Sequence, residues 1–139
     1  MLPSLPGYEH LVYTLQETYP SIERSTLVVI RLGPAIAELN GSLEFKDDIA
    51  LRVWEDLNFA QGVIQAYGYA VEQRGQRLYW YDPQPHPRDP TLSDTFPHHK
   101  HVQPDIKHHR VPAPGLSFDR PNLPFLIEEI KHDLLGLRR

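Results

Sequence analysis

The chain has 139 residues, a formal net charge of -4 with histidine neutral, and no cysteine. That length suits one domain with its own core, and the missing cysteines exclude disulfides, thiolate metal sites and cysteine nucleophiles. The acidic total argues against a protein that coats nucleic acid by bulk charge. No apolar run reaches the roughly 18 residues of a membrane span, and the opening MLPSLPGYEH lacks the basic and apolar regions of a signal peptide, so a soluble, unexported, cytoplasmic protein is expected.

In chain order, YEHLVYTLQET places Tyr8, Leu11, Val12 and Leu15 at helical spacing, and Pro20 ends the pattern. From Ser25 to Asp82 the period becomes that of strands: STLVVIRL, AIAELNGSLEF with an Asn-Gly turn signal, IALRVWEDLNF, GVIQAYGYAVEQ and QRLYWYD. The last two read as a hairpin through EQRGQ, with Ala66, Gly68 and Ala70 on one face and tyrosines on the other. The small face invites close packing by a helix, and an aromatic face of tyrosine and tryptophan suits half-exposure or base stacking, although packing is the commoner use of strand aromatics. Asp47 and Asp48 read as a hairpin turn rather than as part of a metal cluster with Glu55 and Asp56.

Residues 83 to 121 form a segment rich in proline and histidine, and ten of the fourteen prolines fall between 83 and 124. Such spacing predicts an ordered, irregular loop lying over the sheet, anchored by Phe96, Val102, Ile106, Val111, Leu116 and Phe118. Over 122 to 137 the stripe Phe125, Leu126, Ile130, Leu134 and Leu137 predicts a C-terminal helix, with Asn122 placed to cap it. That stripe can pack on the chain's own sheet, on a partner or on a second copy in a homodimer. The expected fold is α+β, a single domain over 1 to 139, with an antiparallel sheet of four or five strands, a helix at each end and the long loop.

Five histidines, two lysines and an arginine crowd into residues 96 to 110. RNA cleavage without a metal needs a base for the 2′-hydroxyl proton, an acid for the leaving oxygen and a cation for the phosphorane, and the HHKH run supplies all three types. His98, His99, His101 and Lys100 are therefore candidate catalytic groups. Asp82 would orient a histidine and His86 would complete the pocket, with Arg110, Tyr81 and Lys107 toward the substrate. Two other readings stay open. His98 and His101 with Asp82 or His86 could hold zinc in a metal-dependent hydrolase, or the histidines could bond loop carbonyls in a non-enzymatic binding module.

The stretches YDPQPHP, FPHHKHVQPDIKHHR and PNLPFLIEEI resemble the TumE family of small prokaryotic toxins of toxin-antitoxin pairs. The resemblance runs from the first strands to the last helix. It is carried by Tyr81 and Asp82 ahead of Pro85 and His86, then by the block of Pro97, His98, His99, Lys100 and His101. The chain departs from the pattern at Pro83 and Gln84, where an Asn-Ala step is expected. The resemblance implies a cytoplasmic toxin acting on RNA, paired with an antitoxin that is a small DNA-binding protein; the histidine-lysine mechanism read from the residues calls for no cofactor or metal.

Overall fold

The computed structural model describes residues 1–83, 98–102, 110–113 and 115–137. Helix α1 runs over Leu5–Tyr13 and α2 over Leu15–Thr18. The first helix begins earlier than the apolar spacing suggests because Ser4 Oγ accepts from the Gly7 N–H at 3.2 Å and a proline occupies the first turn, where its missing donor is harmless.

Eight strands follow among the described residues: β1 Arg24–Ser25, β2 Val28–Arg31, β3 Ile36–Glu44, β4 Ile49–Asn58, β5 Val63–Gln73, β6 Gln76–Asp82, β7 His99–Val102 and β8 Arg110–Pro112. They make one antiparallel sheet in the order β1-β3-β4-β5-β6-β7-β8, and β2 also pairs with β3, so β1 and β2 are two pieces of one edge line. The sheet is larger than the four or five strands expected. The sequence stretches from Ser25 to Asp82 account for β1 to β6, and the difference lies in β7 and β8, which occupy part of the segment read as an irregular loop. Prolines did not prevent them, because β7 lies between Pro97 and Pro104 and Pro112 sits on the outermost described strand, where a missing donor costs no ladder bond. The remainder of that segment, 84–97, 103–109 and 114, lies outside the described residues.

The Asn-Gly step is not a turn. Strand β3 passes straight through Asn40 and Gly41, and Gly41 adopts φ +137 where the β1-to-β2 junction crosses close by: a Cβ there would sit 2.5 Å from the Thr26 carbonyl oxygen. The connections from β2 through β6 lie at residues 32–35, at Lys46–Asp48, where Asp47 and Asp48 both have positive φ, at residues 59–62, where Gly62 has positive φ, and at Arg74-Gly75.

Helix α3 spans Leu123–Asp133. Its buried stripe, including Leu126, Ile127 and Ile130, joins Leu5, Tyr8, Val12 and Leu15 and the inward residues of β3 to β6 in one core. Leu126 and Ile130 of the predicted stripe are thus covered within the chain's own core, Phe125 and Leu134 are partly buried against it, and Leu137 is exposed. Asn122 does not cap α3 with its side chain. Its Oδ1 accepts from the Ser117 N–H at 2.9 Å, and its Nδ2 donates to the Ser117 carbonyl at 2.9 Å and to the Tyr69 hydroxyl at 3.0 Å. The faces of the β5–β6 hairpin are also reversed from expectation. Tyr67, Tyr69, Tyr79 and Tyr81 are buried in the core, while Gly68 and Ala70 line an open groove. Tyrosine suits the covered face because its ring fills volume, and the hydroxyls of Tyr67, Tyr69 and Tyr81 find polar partners there. Among the described residues no helix is long and apolar enough to cross a membrane.

Candidate active site

Strands β6 and β7 place the sequence candidates. In register, Tyr79 faces Val102, Trp80 faces His101, Tyr81 faces Lys100 and Asp82 faces His99. Directly opposed residues share a face and successive residues alternate. The PHHKH block is therefore divided: His99 and His101 lie with Trp80 and Asp82 on one face, and Lys100 lies with Tyr79 and Tyr81 on the other.

On the first face, Asp82 Oδ2 accepts from His101 Nε2 at 3.0 Å and from Trp80 Nε1 at 3.3 Å. The carboxylate can only accept, so it fixes the proton on Nε2 and leaves the lone pair of a neutral imidazole on Nδ1. The ring of His101 stacks on that of Trp80 with centroids 4.4 Å apart. His101 is 3 % exposed and His99 is fully buried, whereas the Asp82 side chain keeps 19 % of its surface. A carboxylate that orients an imidazole and steadies its charged form is the arrangement used to make histidine a proton acceptor.

The second face holds a different cluster. Glu129 of α3 accepts from the Tyr81 hydroxyl at 2.7 Å and from Lys100 Nζ at 3.1 Å. The ammonium also lies 4.2 Å from the centre of the Tyr79 ring. Burial, with Glu129 beside it, pushes the Tyr81 hydroxyl far above the usual phenol range, so it stays a donor. His98 enters from the end of this face: its Nδ1 lies 2.5 Å from the Tyr67 hydroxyl and its ring 4.6 Å from Phe118. Burial, and then the neighbouring His99, hold His98 below the usual histidine value.

The structure thus brings Asp82 to His101 and His99, and brings Lys100 to Tyr81 and Glu129, across the thickness of the sheet from them. His98 stands with the second group. Arg110 is in backbone register with His101, and its side chain lies outside the described residues, as do His86 and Lys107. Among the described residues no three histidine, aspartate or glutamate side chains gather as metal ligands. Glu55 and Asp56 face opposite sides of β4, away from the Asp47–Asp48 turn.

Of two buried carboxylates, the sequence reading did not name Glu129 and named Glu55 only as a possible member of a metal cluster. Glu129 occupies a stripe position of α3, 9 % exposed. Glu55 is fully buried and accepts hydrogen bonds from the Tyr8 and Tyr69 hydroxyls. Burial raises its carboxyl to about 7 against the opposing pull of those two donors. A signal for Glu55 was present: Ile49, Leu51, Val53, Glu55 and Leu57 occupy alternate positions, which puts a carboxylate in the apolar phase of the strand.

A sequence profile of the family described as Toxin TumE matches residues 11–134. No curated protein and no solved structure matches the chain.

Proposed function

Because the chain belongs to the TumE family of toxins, we propose that it is a metal-independent endoribonuclease whose acid-base chemistry is centred on His101 and Asp82. The observation that carries the reading is the 3.0 Å hydrogen bond between His101 Nε2 and Asp82 Oδ2, with His99 directly across the strand pair from Asp82. In the proposed reaction a histidine removes the 2′-hydroxyl proton and O2′ attacks the adjacent phosphorus. The P–O5′ bond breaks, and the departing 5′-oxygen takes a proton from a second acid. The products are a 2′,3′-cyclic phosphate and a 5′-hydroxyl end, with no co-reactant. His99 and His98 are the candidates for the second proton carrier. Lys100 serves the fold through Glu129, which leaves Lys107 and Arg110 as the candidates for phosphate charge.

A toxin family implies an antitoxin partner. We take that partner to be a small DNA-binding protein encoded alongside, with the pair acting in the cytoplasm. The test is cleavage of a long single-stranded RNA by purified protein, with and without chelator, and with His101→Gln and Asp82→Asn variants. His101→Gln is expected to slow cleavage roughly 100-fold or more, Asp82→Asn to slow it less, and chelator to change nothing. Two variants that fold and still cleave at the parent rate would overturn the assignment, and a rate abolished by chelator and restored by zinc would replace it with the metal-dependent hydrolase.

The burial of His99 and His101 favours a second reading, a binding module in which these histidines only lock β7 onto β6. On that reading the parent protein cleaves no RNA, and Asp82→Asn lowers the denaturation midpoint without any activity to lose.

A further inference from the structure

The sheet face opposite the helices carries a groove of about 530 Å³, which Asp82 borders. Trp54 of β4 and Trp80 of β6 stand diagonally across β5, where their register partners are Gly68 and Ala70. With strands about 4.8 Å apart and a rise of about 3.4 Å per residue, the two Cα atoms are roughly 12 Å apart. That spacing seats two separate rings rather than clamping one. The floor between them stays low because its residues are small, and even a methyl group at Gly68 would meet the Trp54 ring at 3.8 Å.

Arg52 shares the face of Trp54 two residues away on β4, mostly exposed and held by Glu72 at 2.7 Å. The Arg77 guanidinium lies over the Trp80 ring, 4.7 Å from its centre, and His101 also stacks on that ring. Planar aromatic surface alternating with guanidinium groups is what a single-stranded polynucleotide needs, bases to stack and phosphates to neutralise. The exposed apolar side chains of this face, Val28, Ile30 and Ile36, lie toward the β2 edge, on the far side of Trp54 from Trp80 and Arg77.

We infer that this groove binds single-stranded RNA, with one base stacked on Trp54 and another taking the place of the Arg77 guanidinium on the Trp80 ring, phosphates against Arg52 and the displaced Arg77, and leads the strand to Asp82. Delivery to Asp82 rests on the endoribonuclease reading, and the groove's ligand does not.

The chain has two tryptophans and both line the groove, so tryptophan emission, excited at the red edge where its seven tyrosines do not absorb, reports on this surface. A short single-stranded DNA oligonucleotide, which lacks the 2′-hydroxyl and cannot be cleaved by the proposed route, serves as the probe, with the same sequence as a duplex for comparison. The single strand is expected to quench the emission to saturation and the duplex to do so far less. Trp54→Ala and Trp80→Ala should each weaken binding roughly tenfold, whereas Trp54→Phe and Trp80→Phe, which keep a ring and protect the fold, should weaken it less. Replacing Arg52 and Arg77 together by glutamine should flatten the salt dependence, by about 0.7 in the log-log slope for each phosphate that is no longer neutralised. Equal quenching by duplex, no quenching at all, or alanine variants that bind like the parent would overturn the inference. So would emission that shifts with protein concentration alone, which would assign the groove to a second copy of the chain. Quenching without RNA cleavage by the parent would sink the nuclease and leave the groove; cleavage without quenching would do the reverse.

Discussion

Replacing Glu55 with glutamine is expected to flatten the pH dependence of stability. The Glu55 carboxyl is held at about 7 by burial, against a usual value of 4.5. At about 1.4 kcal/mol per pH unit, that gap is worth about 3 kcal/mol. The folded state binds more protons than the unfolded chain between those two values, so the stabilisation is fully present below about pH 4.5 and is lost as pH rises through 7. Integrated between pH 5 and pH 8, the loss is about 2–3 kcal/mol. Glutamine keeps the shape, can accept from one of the Tyr8 and Tyr69 hydroxyls and donate to the other, and cannot ionise. Urea denaturation at the two pH values is the assay. With a slope near 2 kcal/mol per molar urea, the parent midpoint should fall by about 1 M more than that of Glu55→Gln. His98 and other groups titrate in both proteins and cancel in the comparison. Parallel pH profiles for the two proteins would refute the reasoning, because they would mean that Glu55 is ionised in the core at no cost.

Lys100→Met is expected to destabilise the fold by roughly 1–3 kcal/mol, since it strips the cation from a mostly buried Glu129, while cleavage per folded molecule stays near the parent rate. A large loss of cleavage at unchanged fold would put Lys100 back at the phosphate. In a proton NMR titration the His98 ring should reach its midpoint below the usual histidine value of 6.5, and His99→Gln should move that midpoint up, because the repulsion from His99 adds to burial in lowering it; no movement would remove His99 as a cause. Gly41→Ala forces a methyl group against the Thr26 backbone at positive φ and should cost at least ~2 kcal/mol, read as a lower denaturation midpoint. An unchanged midpoint would show that the β1-to-β2 junction can move away.

The stretch from Ser25 to Asp82 was legible because β4 to β6 largely alternate, β2 carries a β-branched run, and turn residues Asp47-Asp48, Gly62 and Arg74-Gly75 separate the strands. Local pattern could not distinguish the Asn40-Gly41 turn signal from its actual use, since the need for glycine comes from Thr26, fifteen residues away, crossing overhead. Strand β7 was hidden for a similar reason. HKHV has no apolar alternation, and its strand character comes from register with β6, where Trp80 supplies a surface for His101 and Asp82 an acceptor. Composition marked the histidine block as chemical, but only the strand period divides it into two faces, and that period is invisible until the segment is recognised as a strand. The cap expected at Asn122 failed because a buried Tyr69 hydroxyl and the Ser117 backbone compete for the same amide. Tertiary partners displace a local one there.

The bond from Lys100 to Glu129 ties the middle of β7 to a helix that begins at Leu123. During synthesis, β1 to β6 can leave the ribosome and pair while Asp82 has no histidine opposite it. His101 emerges next, but its strand is not pinned on the reverse side until the last helix has been made and docked. The order of translation therefore leaves the Asp82–His101 pair without that brace until the segment through α3 has left the ribosome.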